Sequence, residues 1–559
     1  MQYNKLFLIS IIASLNSPVV FAADPVLPLQ RPAERKLQSV DDGKTIQPTI
    51  KLPPIKNFSK DRLSAKMMVY LKKVQFEGNT VISNAELQKY TSPYLDRKIT
   101  ADELQSLRRA VTQLYIDSGY INSGAVIPDQ AVKNGVITIK IIEGTLNKIQ
   151  VSGNDWLRTA YLQDRIRLGN EEILNVHVLK EKLFILQQDP RIKQLHAKLS
   201  PGAKPGESVL QVRIVEDDAF QVYIGADNHN SPSVGENRGE LTLLHNNLTG
   251  NGDTLTGHYV ESKGLKSYDL SYEIPVMADD SRFKFSYAQG ESKIVEEPFD
   301  QLDIKNRSRT SLVAFIRPYY RTPDAVYEYS LQGETRESHT YLGGEPFSFT
   351  PSSEDGKTRL TVARLVHNWL HRFQNRLLTA RSTLSEGLNA RDSTISDKEP
   401  DGRFTAWLGQ GQWVERWPQS KHEVVLRGAM QLTEDHLLSM EQFSIGGAKS
   451  VRGYRENYVV GDNGVTASFE YRIPLFGATP DYGQFQLAGF TDYGAVWNKQ
   501  GFEDPEAEEI YSVGLGLRWT NKKQARFELY WASPVHNKST QGGSLQDDGV
   551  HFRFEARLF

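Results

Sequence analysis

The chain has 559 residues, enough for several domains, and its hydrophobic fraction of 39% is too low for a protein that crosses a membrane with many helices. Its net charge of -2 gives no overall field that would favour nucleic acid, so we expect no nucleic-acid partner. The sequence contains no cysteine, which excludes disulfide bonds and thiolate metal sites.

The first 22 residues have the three parts of a secretory signal peptide. Lys5 supplies the positive charge, residues 6–15 (LFLISIIASL) form the apolar core, and Val20, Phe21 and Ala22 form a cleavage site. This core is too short for a spanning helix, which needs ~20 residues. Residues 23–68 are rich in proline and charge, which predicts an extended linker with room for only a short helix at residues 33–40.

Residues 69–217 contain an internal repeat. The stretch 71–79 (LKKVQFEGN) returns as 146–154 (LNKIQVSGN), and a repeat at a fixed offset indicates a duplicated unit. Each copy shows the order β-α-α-β-β. In the first copy, Thr100 and Glu103 form a capping-box pattern, and Asn134-Gly135 is a favoured hairpin turn. We therefore expect two α+β units, at residues 69–144 and 145–217.

From residue 218 to the C-terminus, short segments alternate apolar and polar side chains. Because side chains of a strand point to opposite faces, each segment has one apolar and one polar face. Such segments are typical of a membrane β-barrel, and residues 218–559 have room for about 16 antiparallel strands. In the last segment the apolar residues stand at even positions from Val550 to Leu558, so the terminal Phe559 is out of phase.

Residues 445–454 (IGGAKSVRGY) lie in a predicted loop at about 441–464. Arg452 offers a rigid fork of donors that suits a carboxylate. Alternation in the strand at 485–497 directs Asp492 into the lumen, so an inward-folded loop can bring Arg452 to Asp492; Glu470 and Glu528 also face inward and are alternative partners. In the other interpretation, Arg452 lies in an ordinary extracellular loop, where an ion pair contributes only ~0–1 kcal/mol.

Taken together, these features resemble the two-partner secretion (TpsB-type) outer-membrane transporters of the Omp85 superfamily. The matching motifs are VRGY (Val451, Arg452, Gly453 and Tyr454), residues 247–255 (NLTGNGDTL) and residues 490–494 (FTDYG). In that family the arginine lies on a loop folded into the barrel and pairs with the aspartate of the late motif. The resemblance therefore implies a conformational lock between Arg452 and Asp492, POTRA domains at 69–144 and 145–217, and a plug helix within 23–68.

The resemblance also implies a function. Periplasmic POTRA domains would capture an unfolded partner exoprotein by adding its strands to a sheet edge, and the barrel would secrete it without ATP. The exoprotein would be a large β-helical adhesin, a haemolysin or a contact-dependent inhibition toxin. Outer-membrane lipid and the barrel-assembly machinery that inserts the protein are further expected partners, and we expect a monomer.

Three other functions fit the sequence less well. An outer-membrane enzyme is disfavoured because the twelve histidines form neither an HExxH pair nor a site beside a GxSxG elbow, so we expect no catalytic residue, cofactor or metal. A passive porin does not explain residues 69–217. A barrel-assembly factor of the same superfamily shares VRGY-like loops, but such proteins usually carry more than two POTRA units.

Overall fold

The computed structural model describes residues 48–53, 68–475, 483–499, 508–521, 524–535 and 543–559. The predicted signal peptide, the predicted plug helix and most of the linker lie outside these residues. The described part of the chain includes no helix long and apolar enough to span a membrane. The described residues form two compact units: those up to Asp218 together with Thr249–Gly252 form the first, and the other residues from Ala219 onward form the second.

The N-terminal unit contains both predicted copies. The second has the order β-α-α-β-β, and the first has this order with two additional short strands that pair with each other. After the linker strand β1 (Thr49–Lys51), the first copy contains β2 (Met68–Leu71), β3 (Lys73–Glu77), α1 (Asn84–Lys89), β4 (Arg97–Thr100), α2 (Ala101–Asp117), β5 (Gly124–Val126) and β6 (Val136–Ile142). The second copy contains β7 (Thr145–Ser152), α3 (Thr159–Arg167), α4 (Val176–Gln187), β8 (Ile192–Pro201) and β9 (Glu207–Glu216). The sheet orders are β3-β6-β5 and β1-β8-β9-β7, so β1 extends the second sheet.

The structure confirms the capping box and the tight turn that the sequence predicts in the first copy. The Thr100 hydroxyl accepts a hydrogen bond from the Glu103 backbone N–H, and the Glu103 carboxylate accepts one from the Thr100 N–H, which completes the capping box of α2. Asn134 and Gly135 both have positive φ, as a tight hairpin turn before β6 requires. Each copy buries its own apolar core, one within residues 71–141 and the other within 146–214.

The second unit is a closed antiparallel barrel in which β10 pairs with β28. The strands up to the long loop are β10 (Phe220–Asp227), β11 (Arg238–Asn246), β12 (Thr254–Ser262), β13 (Leu265–Pro275), β14 (Arg282–Lys293), β15 (Lys305–Arg321), β16 (Ala325–Leu342), the short β17 (Glu345–Pro346), β18 (Lys357–Arg372), β19 (Arg376–Leu388), β20 (Thr405–Arg416) and β21 (Glu423–Thr433). The loop contains β22 (Phe443–Ile445) and β23 (Val459–Gly461), and the barrel continues with β24 (Asn463–Pro474), β25 (Gln484–Trp497), β26 (Glu508–Thr520), β27 (Arg526–Pro534) and β28 (Val550–Arg557).

Sixteen long strands of the described chain close the barrel, as predicted; the two-residue β17 only lengthens the pairing of β16. Phe559 is explained by the end of the last strand. Strand β28 ends at Arg557, so Phe559 lies beyond it, with 71% of the residue exposed. Phe559 is out of phase with the apolar positions of β28 because it follows the end of the strand, and not because the register of the strand has shifted.

The long loop comprises residues 434–462, between β21 and β24. It begins before the predicted position 441, because β21 already ends at Thr433. Strands β22 and β23 form an antiparallel hairpin within it. Apolar loop residues, among them Phe443 and Val451, pack against inward side chains of three wall strands, namely Leu408, Val496 and Ile510. The loop therefore lies inside the barrel.

Candidate functional site

The tip of the loop brings Arg452 into contact with Asp492 of β25. The guanidinium donates from Nε to Oδ2 at 2.7 Å and from Nη2 to Oδ1 at 2.9 Å, which is the bidentate fork of a strong arginine–carboxylate pair. The Arg452 backbone N–H also donates to Oδ2, at 3.1 Å. Asp492 therefore holds both the side chain and the backbone of the motif.

Glu470 of β24 contacts the same guanidinium. Arg452 Nη1 lies 2.6 Å from Glu470 Oε2, and Arg472 Nε lies 2.6 Å from the other oxygen of this carboxylate. Ser468 donates its hydroxyl hydrogen to Asp492 Oδ1 at 2.6 Å and so orients the aspartate. Asp492 and the alternative partner Glu470 therefore bind Arg452 together.

Glu528, the third candidate carboxylate, occupies a different place. Its Oε1 lies 2.7 Å from Nη2 of Arg518, on the neighbouring strand β26. The Arg518 side chain also donates to the hydroxyl of Tyr530, at 2.6 Å. Glu528 thus belongs to a wall network beside the site rather than to the group that holds Arg452.

Two aromatic rings complete the binding of Arg452, and sequence reasoning missed both. The guanidinium carbon lies 3.4 Å from the ring centre of Phe490 and 4.7 Å from that of Tyr530, within the range of cation–π attraction. The alternation of inward and outward side chains along the strands contained the signal for both rings. Phe490 shares the inward face of Asp492, and Tyr530 lies between Leu529 and Trp531, whose side chains point outward.

The other residues of the VRGY motif fit closely against the wall. Val451 is fully buried beside Gly494, where an added Cβ would stand 2.9 Å from Cγ2 of Val451. Gly453 has φ of +93°, and a Cβ there would stand 2.9 Å from Cβ of Ala532. The Gly453 N–H donates to Nε2 of His551 at 3.1 Å. Tyr454 donates its hydroxyl hydrogen to the carbonyl of Tyr511 at 3.2 Å.

The burial of these charges determines how much free energy the ion group contributes to docking of the loop. Arg452 is 3% exposed, Asp492 1% and Glu470 0%, so these charges do not meet bulk water. An exposed pair contributes ~0–1 kcal/mol, whereas breaking a buried pair costs roughly 3–5 kcal/mol. The site therefore joins a cation on the loop to two carboxylates on the wall, and close packing buries all three charges.

We expect Gly453→Ala to weaken docking of the loop tip. Alanine would have to adopt a positive φ, at a cost of about 1–3 kcal/mol, and would also press against Ala532. Recordings in planar lipid bilayers should therefore show more frequent open states. Gly543→Ala is the matched control, because Gly543 has φ of +113° but nothing within 4 Å of its added Cβ. Equal conductance of the two variants would contradict the close fit of Gly453.

Within the described residues, no cluster of three or more His, Asp or Glu side chains is arranged to hold a metal ion. The expectation that the protein works without a cofactor stays a prediction. The chemistry of the site is that of ion pairing and close packing.

Comparison with known proteins identifies a family model, described as haemolysin secretion/activation protein ShlB/FhaC/HecB, that matches residues 206–519. A second model, the POTRA domain of ShlB type, matches residues 69–144. The chain is 24% identical to the outer membrane transporter CdiB of Dickeya dadantii strain 3937, over 81% of each protein. It is 23% identical to the heme/hemopexin transporter protein HuxB of Haemophilus influenzae strain 86-028NP, over 94% of this chain and 96% of that protein.

Solved structures share the fold. CdiB from Escherichia coli aligns over 89% of this chain and 92% of its own, with a TM-score of 0.71 and 19% identity. BamA from Haemophilus ducreyi lacking POTRA domains 1–3 aligns over 88% of this chain and 100% of its own, with a TM-score of 0.53 and 14% identity. These likenesses support the POTRA-plus-barrel architecture.

Proposed function

Because the chain belongs to the family of haemolysin secretion/activation proteins ShlB/FhaC/HecB, we propose that its lumenal loop is a releasable lock on the export path of an unfolded partner protein. As a member of that family, it is a two-partner secretion transporter of the outer membrane, with POTRA units in the periplasm. The family consists of transporters rather than enzymes, and we propose that the chain has no catalytic site. The observation that carries the lock is Arg452 clamped between Asp492 and Glu470 at 2.6–2.9 Å.

The docked loop blocks part of the path. Its apolar residues pack against inward side chains of β20, β25 and β26, so a polypeptide that moves along this wall has to separate them. The ion group at the tip adds to the free energy needed for this separation, because Arg452 and Asp492 are paired with each other only while the loop is docked. Export therefore requires the loop tip to leave the wall and afterwards to return.

We propose that the partner is captured on the sheet of the second POTRA unit. Strand β1 already pairs in parallel with β8, from Thr49 opposite His196 to Lys51 opposite Lys198. The three residues of β1 cover part of the ten-residue strand β8, which supports an edge that accepts an added strand. An unfolded exoprotein offers main-chain groups for the same kind of pairing, so its strand would replace β1.

This proposal predicts the effect of Ile50→Asp. Ile50 packs against the apolar core of the second POTRA unit, and a carboxylate there would detach β1 and expose the edge of β8. Binding of the N-terminal segment of the exoprotein to the purified transporter should tighten by about tenfold, since burying an isoleucine contributes about 1.5–3 kcal/mol. Lys51→Ala is the control, because the Lys51 side chain is exposed. Unchanged or weaker binding by Ile50→Asp would contradict capture at this edge.

Other parts of the assignment follow from the architecture and remain proposals. Residues 23–68 would supply a plug helix, and folding of the exoprotein outside the cell would drive export without ATP. The partner would be a large β-helical adhesin, a haemolysin or a contact-dependent inhibition toxin. Outward apolar side chains such as Tyr268 and Leu270 would contact outer-membrane lipid. Insertion would use the barrel-assembly machinery, and the transporter would act as a monomer.

A further inference from the structure

A second buried ion cluster holds the start of the loop, on a part of the wall that does not contact Arg452. Glu441, near the start of the loop, lies 2.6 Å from Nη2 of Arg364 on β18 and 3.3 Å from Nη1 of Arg336 on β16. Glu334 binds the same two arginines from the wall, at 2.5 Å and 3.2 Å. All four side chains are at most 4% exposed.

The charges of this cluster balance only when the loop is present. The wall supplies two arginines and one carboxylate, Glu334, and the loop supplies the second carboxylate, Glu441. Without Glu441, one buried positive charge would lack a partner, which is strongly unfavourable in a water-excluded site. The wall therefore contains a binding site for a carboxylate of the loop.

Packing and backbone contacts reinforce the same attachment. Leu437, Leu438 and Met440 pack with four buried wall residues from β18, the start of β20 and the residue before it, namely Leu360, Val362, Phe404 and Ala406. Arg336 Nη1 also donates to the carbonyl of Met440 at 2.8 Å. Segment 437–441 is thus bound by side chains, backbone and apolar surface together.

The two ion clusters use different strands and are separated by a pair of glycines. Arg452 at the tip is bound by residues of β24, β25 and β27, whereas Glu441 is bound by arginines of β16 and β18. Between them lie Gly446 and Gly447, with φ of +99° and +94°, values that glycine adopts without the strain that other residues would meet. The loop therefore has a base bound to the wall, a glycine pair and a tip, in that order.

We propose that Glu441, with Arg336, Arg364 and Glu334, is a base anchor that keeps segment 437–441 on the wall when the tip lock opens. This inference rests on the proposed lock and extends it: the loop turns about its glycine pair instead of leaving the barrel as a whole. Glu441 acts as a positioning residue, because it determines where the loop pivots and to which place the tip returns.

Single-cysteine labelling tests the anchor, and the chain has no native cysteine to interfere. The base reporter is Leu438→Cys and the tip reporter is Val451→Cys, at positions that are 2% and 0% exposed. Each reporter is combined with Glu441→Gln or Asp492→Asn in the full-length protein in outer membranes and labelled with a membrane-impermeant maleimide. Glu441→Gln should raise the labelling rate of the base reporter at least about tenfold and change that of the tip reporter less than about twofold.

The other labelling outcomes either support the base anchor or contradict it. If Glu441→Gln leaves the base reporter protected, or raises the labelling of both reporters equally, the base anchor is wrong. Asp492→Asn should expose the tip reporter alone. If it does not, while Glu441→Gln still exposes the base reporter, the tip lock fails and the base anchor stands. If Asp492→Asn exposes the base reporter as strongly as the tip reporter, the loop moves as one body and the anchor is wrong.

A double variant separates charge from packing. Glu441→Gln with Arg336→Gln restores the charge balance of the cluster, so we expect the base reporter to regain most of its protection. A purely steric role of Glu441 predicts further exposure instead, and that result would overturn the proposal. Glu328→Gln is the matched control, because Glu328 is a buried wall carboxylate paired with Arg282 at 3.1 Å, and it should leave both reporters protected. Heat-dependent gel mobility verifies that every variant contains a folded barrel.

Discussion

Replacement of Asp492 by asparagine should lower export of the partner protein about tenfold while the barrel still inserts into the outer membrane. Asparagine keeps the shape of the side chain but removes the charge that Arg452 binds in a bidentate manner. Loss of one partner of a buried pair costs roughly 3–5 kcal/mol, which shifts the docking equilibrium of the loop tip by at least about a hundredfold. When the tip no longer returns to one position, the lumen has no defined path for the exported chain. It also becomes permeable to ions.

The measurement is the amount of exoprotein in the medium and on the cell surface, with transporter levels compared in outer-membrane fractions. Glu328→Gln provides the control for a general loss of barrel stability, since it removes a buried wall carboxylate whose partner Arg282 belongs to β14. Arg452→Ala should act in the same direction as Asp492→Asn, because it leaves both Asp492 and Glu470 without their loop cation. Normal export by both variants would contradict the lock.

Deletion of residues 71–144 should abolish detectable export. This segment contains all the buried residues of the first POTRA core, from Leu71 to Ile141, and a transporter without it would lack its first surface for capture. The physical reason is kinetic. Without the first unit, an unfolded exoprotein meets only the edge of β8 in the second unit, and that edge alone does not hold it long enough to prevent degradation or aggregation before export.

The deletion is informative only if the rest of the protein remains folded. The second POTRA unit has its own core, from Leu146 to Ile214, and the barrel unit begins at Ala219. Heat-dependent mobility of the barrel and protection of the tip reporter from maleimide should therefore be unchanged in the deleted protein. Export at about half the normal rate or more would remove the first POTRA unit from the capture mechanism.

Local patterns predicted much of the architecture. The repeat at residues 71 and 146 indicated two units, and the capping pair Thr100 and Glu103 marked the start of α2, because these signals involve neighbouring residues. Strand alternation also gave the direction of Asp492 and Glu470. It did not give the distance from Arg452 to either carboxylate, and the pairing with Asp492 rested on the resemblance to a family.

Contacts that depend on barrel register were not predictable in this way. Glu441 meets Arg364 and Arg336, which lie at least 77 residues earlier in the chain, on two paired strands. Alternation directs both arginines inward, but their approach to Glu441 depends on how strands β16 and β18 are staggered. By contrast, Phe490 and Tyr530 faced inward by the same rule as Asp492, and they were overlooked because only carboxylates were considered as partners of the arginine.

The central claim is that the loop tip must leave the wall during export. Val451→Cys combined with Gly494→Cys tests it most directly, since a Cβ at position 494 would stand 2.9 Å from Cγ2 of Val451, within reach of a disulfide bond. The chain has no other cysteine, so oxidation can form only this tether within the protein. We expect export of the partner to stop when the pair is oxidised and to resume when it is reduced. Export at an equal rate in both states, with the disulfide verified, would contradict the lock.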